Sequence, residues 1–437
     1  MVNAANVKRK AGLLLSLLLM TGGLGGLAGC EKASEDVTET PATTVTIWTW
    51  DETFNVKAAK MAAEEYSAEH ENIEFNVVTK EREEILVDVK NMLAAELYDE
   101  LPDLILIEDY DIQAVLATYA DEFTDLTKEL DYSKFADYKT NLCYYGGSLY
   151  GIPFDSGTAA LFYRLDYIEA AGYTEEDMQD LTWEEYFEIG EQVRNKTGHA
   201  MLTVDPTDLP LMRIVLQSYG RWYVTADGRM ADIEGNEALK YGIGLYERLL
   251  TSETGKSVIG WNEFISAFQT GEVASVISGG WIISSLKVAG DQSGLWRVAA
   301  IPVEPDSGAV AASNVGGNCW YILKHAKASE EAKKFAVEMF AENDAFMDRL
   351  IEEIGILPAV KDATIYENYE AGDPFFGGQQ VTRFLTDIES SIPAVNYGSK
   401  TYEIEEILCE ELQNILNGSD VDQCLSTVQQ KADAIIR

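Results

Sequence analysis

The stretch from residue 45 to residue 107 constrains the fold most. Residues 45–49 (VTIWT) alternate as a strand does, 56–66 form an Ala-rich helix with Met61 and Ala62 on its apolar side, and 73–78 (IEFNVV) alternate again. Apolar residues at 85, 86, 89, 92 and 93 place a helix over 83–97. The continuous apolar run at 104–107 (LILI) reads as a strand buried on both faces. Strand, helix, strand, helix, strand in that order predicts right-handed crossovers and a parallel sheet, so the class is α/β. Ligands of such sheets sit beyond the carboxyl ends of the strands. Those ends carry Trp48, Thr49, Trp50 and Asp51 after the first strand, and Glu108, Asp109 and Tyr110 after the third.

The pattern continues beyond this unit. Residues 151–155 (GIPFD) read as a crossing strand and turn, followed by a short strand at 160–163 and helices at 167–171 and 182–197. Thr182 with Glu185 three positions on forms a capping box for the second of these helices. Helices at 236–250 and 263–270 lead to a strand at 275–277, where Gly279 and Gly280 precede Trp281. Glycines there let backbone approach a neighbour closely. Strand character at 298–302 and 316–323, then helices at 330–340, 345–353, 402–416 and 421–436, complete the chain. The roughly 390 residues of this body exceed a single core, so two domains are expected.

The beginning of the chain has a different character. Lys8, Arg9 and Lys10 precede an apolar segment at 11–28, and Leu27-Ala28-Gly29-Cys30 closes it. A basic region, an apolar region and small residues before a cleavage site describe an export signal over 1–29. Leu-Ala-Gly-Cys resembles a bacterial lipobox, which implies a diacylglycerol on the Cys30 thiol and further acylation, palmitate included. Two or more acyl chains suffice for stable anchoring to the cell membrane. Residues 30–44 follow as a flexible tether spanning about 20 Å r.m.s.. Nothing later is long and apolar enough to be a second membrane span. Removing 1–29, which carries three basic and no acidic residues, takes the formal charge from −41 to about −44. Nucleic acid and anionic headgroups are therefore poor partners, and neutral or cationic small molecules fit better.

Catalytic patterns are thin. His70, His199 and His325 lie far apart, and the chain has no HExxH, Walker A, GxSxG or GxGxxG arrangement. No cofactor or metal is expected, and the chain is read as a non-enzyme. Cys143, Cys319, Cys409 and Cys424 lack CxxC spacing; a Cys409–Cys424 disulfide and four buried thiols both fit. What stands out is aromatic residues beside carboxylates and glycines at strand ends, a lining that suits the faces and hydroxyls of sugar rings. Trp183 and Trp296 read as core, whereas Trp50 and Trp281 read as ligand contacts.

VTIWTWD at the first strand, LPDLILIED at the third and YGIPFDSGTAALFYR at the crossing, then DGRMADIEGNEALK, FQTGEVASVISGGW and GILPAVKDA, together resemble a known family. Their order behind a lipobox is similar to the extracellular solute-binding proteins of bacterial ABC importers, in the sugar-binding class related to maltose-binding protein. The resemblance implies two α/β lobes joined by a hinge of crossing segments. It places 45–154 and 302–354 in lobe 1, and 155–301 and 355–437 in lobe 2. It carries ligand contacts onto Trp48, Trp50, Asp51, a loop at Asp109, Asp155, Gly280, Trp281, Asn318 and Trp320. It implies a monomer outside the membrane, held by its lipid anchor, that captures a sugar or oligosaccharide and delivers it to permease subunits. The segment Asn396-Tyr397-Gly398-Ser399 has no assigned role. Two other readings remain open. A polyamine-type cation binder of the same fold would use Asp51, Asp109 and Asp155, and a secreted glycosidase would need a facing pair of carboxylates.

Overall fold

The computed structural model describes residues 42–436. The expected export signal, Cys30 and the expected tether up to residue 41 lie outside the described residues. The first strand, Thr43–Thr49, begins two residues before the sequence pattern suggests, because the Thr43 amide donates to the Asn72 carbonyl at 2.9 Å. It lies between Ile73–Thr79 and Leu104–Glu108 and is parallel to both, as the intervening helices Asn55–Glu69 and Arg82–Ala94 require. The sheet is mixed rather than purely parallel. Asn318–Ile322 joins it antiparallel to Leu104–Glu108 on one side and to Gly151–Asp155 on the other.

A second, antiparallel sheet has the order Ser275–Gly279, Ala159–Arg164, Trp296–Ala299. Helix Trp183–Thr197 starts with the expected capping box: the Glu185 amide donates to Thr182 Oγ1 at 3.2 Å, and the Thr182 amide donates to Glu185 Oε2 at 2.9 Å. Trp183 and Trp296 are buried core residues.

Three chain segments join the two sheets, each built around its own lobe. Gly151–Asp155 leaves the first sheet and passes through Ser156 and Gly157 into Ala159–Arg164 of the second. The return runs through Asn314 to Gly317 into Asn318–Ile322. The third follows helix Asp344–Ile354 through Gly355 to Pro358, and helix Val381–Glu389 then packs Val381 and Leu385 into the core of the second sheet. The crossings bond to one another: the Ser156 amide donates to the Leu357 carbonyl and the Val315 amide to the Gly157 carbonyl, each at 2.8 Å. Only glycine fits at 157, where a Cβ would stand 2.4 Å from the Val315 carbonyl oxygen.

Several helices escape the sequence pattern. Asp109 opens a helix, Asp109–Tyr119, instead of standing in a loop, and its two first-turn carboxylates suit the positive end of the helix dipole. Pro210–Ser218 is buried on nearly every side, Arg213 and Gln217 included, so its polar positions do not mark a solvent-facing stripe. Cys143, Cys319, Cys409 and Cys424 are all free thiols, which resolves the disulfide question in favour of thiols. No helix among the described residues is long and apolar enough to cross a membrane.

Candidate ligand cleft between the lobes

The parallel strands of the first sheet end toward the second lobe and carry charge there. Lys80 and Arg82 follow the second strand, and Glu108 and Asp111 follow the third. The Arg82 guanidinium donates to Glu108 Oε2 at 2.6 Å and to Asp111 Oδ2 at 2.8 Å. Tyr402, from helix Thr401–Leu416 beyond the third crossing, reaches this pair. Its hydroxyl donates to Glu108, and the Arg82 guanidinium carbon sits 4.6 Å from its ring centroid. The Lys80 ammonium lies 4.2 Å over the ring of Trp48.

On the opposite side, Trp281 opens the short helix Ile282–Lys287 and donates from Nε1 to the Val315 carbonyl at 2.9 Å. Its ring lies 5.6 Å from that of Trp261, which is 51% exposed. Gly316 ties the two faces together. At φ 75° its backbone runs so close that a Cβ would stand 3.1 Å from the Trp281 Nε1 and 3.6 Å from Glu108 Oε1. The aromatic pair and the Arg82–Glu108 group therefore border one seam.

Tyr110 fills the seam beside the crossings. Its backbone belongs to the first lobe, yet its ring meets Trp222 at 5.4 Å, Tyr397 at 4.7 Å edge-on and Tyr402 at 6.2 Å. The hydroxyl donates to the Asn314 carbonyl at 2.9 Å. Behind the cage, Arg213 donates twice to Glu405 at 2.8 Å, and the Tyr223 hydroxyl donates to the same carboxylate at 2.7 Å. Tyr397, in the segment left without a role by the sequence, is thus one wall of the cage.

The residues singled out from the sequence fall into separate places. Trp281 stands at the seam next to Gly280, whose Cβ would meet Leu385 at 3.2 Å. Trp48, Trp50 and Asp51 lie at the end of the first strand. Asp51 has a left-handed backbone (φ 60°), and its carboxylate accepts from the Thr53 amide and hydroxyl, shaping the local turn. Asp109, Asp155 and Asn318 come together under the crossings, fully enclosed. The Lys139 ammonium donates to Asp109 Oδ1 at 2.6 Å, and Asn318 Nδ2 donates to Asp155 Oδ1 at 3.0 Å. Burial pushes the Asp109 carboxyl upward against the pull of Lys139, and pushes Asp155 up to about 6. Trp320 packs in the core instead, between Phe154 and the stacked ring of Phe340 at 5.0 Å. Asp51, Asp109 and Asp155 therefore do not share one open surface, the arrangement a polyamine would need. Sequence reasoning missed Arg82, Asp111, Trp261 and Tyr402. Trp261 had a usable signal, a Trp directly after Gly260 at a helix start. Among the described residues no three His, Cys, Asp or Glu side chains are placed to hold a metal ion.

Two α/β lobes joined by three crossings, with rings and fixed charges meeting at the seam, define a hinged binding protein. The chain belongs to the bacterial extracellular solute-binding protein family, whose model matches residues 61–372. It is 40% identical over 388 residues to a lactose-binding protein of Rhizobium radiobacter, covering 89% of this chain and 92% of that one. It is 25% identical over 383 residues to an arabinooligosaccharide-binding protein of Bacillus subtilis, covering 84% and 85%. Among solved structures, the GacH receptor of Streptomyces glaucescens, determined unliganded and with acarbose, matches with TM-score 0.74 at 19% identity over 91% of this chain and 99% of its own. An ABC transporter associated binding protein from B. animalis subsp. lactis, in complex with beta-1,6-galactobiose, matches with TM-score 0.73 at 20% identity over 89% and 96%. The two-lobe fold expected from the sequence is the fold of these proteins.

Proposed function

We propose that this protein captures a neutral sugar, with a lactose-like disaccharide as the first candidate, and delivers it to the permease of an ABC importer. One observation carries the reading: the Trp281–Trp261 pair borders the same seam as the Arg82–Glu108–Asp111–Tyr402 group. Aromatic faces take the C–H surfaces of a pyranose ring, and the fixed charges hold its hydroxyls. The 40% identity to a lactose-binding protein supports this class of ligand. Ligand that touches both lobes favours the closed arrangement through contacts the open one lacks. The lobe boundaries expected from the sequence, a lipid on Cys30, a monomeric state and attachment to the cell membrane complete the reading, and binding without chemistry follows from it.

The test is a thermal-shift and calorimetric titration of the body from residue 36 onward against lactose, arabino-oligosaccharides, maltodextrins and polyamines. Saturation at 100 times Kd adds about 2.7 kcal/mol. A sugar response lost in Trp281→Ala and in Trp261→Ala is expected. A response to polyamines alone, abolished by salt, overturns it. Labelled palmitate incorporation lost in Cys30→Ser tests the anchor.

A further inference from the structure

Glu389 ends helix Val381–Glu389 on the second lobe, is only 5% exposed, and neither of its carboxyl oxygens has a hydrogen-bond partner among the described residues. The groups that face it come from the other side of the hinge: Tyr138 and Lys139 from helix Asp137–Cys143, Ser156 from the first crossing, and Asp109 from the start of its helix. Tyr138 in turn faces Tyr397. The Lys139 ammonium is already engaged, donating to Asp109 Oδ1 at 2.6 Å and to the Asn318 carbonyl at 3.2 Å. Asp109 Oδ2 and Asp155 Oδ2 are also buried without partners. One ammonium therefore faces three carboxyl groups in a place closed to water. Full ionisation would leave two uncompensated negative charges there, an arrangement that buried sites avoid by taking up protons.

Asp109 and Lys139 sit on helices beside the first sheet and Asp155 closes its strand Gly151–Asp155, at the expected lobe boundary, so the three stay together when the lobes part. Glu389 is the one carboxyl that the second lobe contributes, so opening would withdraw it into water. We propose that Glu389 takes up a proton when the lobes close and releases it when they open, which couples closure to proton uptake.

Burial pushes the Glu389 carboxyl up to about 8 in the closed form, with Ser156, Lys139 and Tyr138 offsetting only part of the rise. In water a Glu titrates near 4.3. The sign follows: the contribution to closure is complete below the open-state value and is lost as pH rises toward the closed-state value. Between the two, the ratio of closed to open molecules falls by up to tenfold per pH unit.

The experiment uses the ligand-free body, so its outcome does not depend on which sugar binds. Small-angle scattering from pH 5 to pH 9 is expected to show expansion of the wild type as pH rises, while Glu389→Gln, whose amide is neutral throughout, stays compact. Equal responses in both proteins, or none in the wild type, overturn the proposal. Carbon-13 NMR of Glu-labelled wild type gives a reading without any substitution. One carboxyl titrating above pH 7 is expected, and a protein whose glutamates all titrate below pH 6 overturns it.

Discussion

Replacing Tyr110 with Ala separates the work of the lobes from the work of the core. The ring is enclosed by Trp222, Tyr397 and Tyr402, and its hydroxyl donates to Asn314. Truncating a buried aromatic residue costs about 3–5 kcal/mol, of which each aromatic neighbour contributes about 0.5–1.5 kcal/mol. The three rings come from segments that follow the first and third crossings, while Tyr110 follows a strand of the first sheet, so the loss falls chiefly on the closed arrangement. If about 2 kcal/mol of it does so, closure weakens roughly 30-fold, and ligand affinity follows. Tyr110→Phe keeps the ring contacts and removes one donor, for about 1 kcal/mol. Scattering of the ligand-free protein is expected to show a larger radius of gyration for Ala and little change for Phe. A Tyr110→Ala protein of unchanged radius, carrying the whole loss in a urea melt, would refute the reasoning and make Tyr110 an ordinary core residue.

Trp320→Ala should cost about 3–5 kcal/mol in a urea melt and leave the sugar affinity of the folded protein unchanged, since the indole packs on Phe154 and Phe340; altered affinity with intact stability would contradict its core placement. Arg213→Met strands Glu405 in the interior and should cost about 3–5 kcal/mol, with Arg213→Met/Glu405→Leu recovering most of the loss in the same melt. Thr182→Ala removes the capping box of helix Trp183–Thr197 and should cost about 1 kcal/mol by thermal or urea unfolding.

The parallel half of the first sheet was legible because its strands and helices each carry an unambiguous period, and because 104–107 is apolar without interruption. The antiparallel insertion of Asn318–Ile322 left no local mark, since both faces of that strand are buried and its neighbours lie far away in sequence. The same burial on both faces misdirected Trp320, which shares a strand face with Asn318 but not its surroundings. Tyr110 was noted at a strand end, yet its partners Trp222, Tyr397 and Tyr402 stand more than a hundred residues away. A cage assembled from three distant segments leaves no spacing to read. Trp281 was legible because a Gly-Gly-Trp step after a buried strand signals close backbone approach, and Gly279 shows it: a Cβ there would stand 2.7 Å from the Val315 carbonyl oxygen.

The position of Asn318–Ile322 in the first sheet also sets an order of events for the growing chain. It fills the gap between Leu104–Glu108 and Gly151–Asp155, both made long before it. Until it emerges, two strand edges of the first lobe stay unpaired while the whole second sheet is being made. At about 5–20 residues per second, that interval lasts on the order of ten seconds or more. Such distant pairing also slows folding after release, because loop closure must precede the contacts that reward it. The late central strand therefore leaves the first sheet unfinished through most of the chain's synthesis.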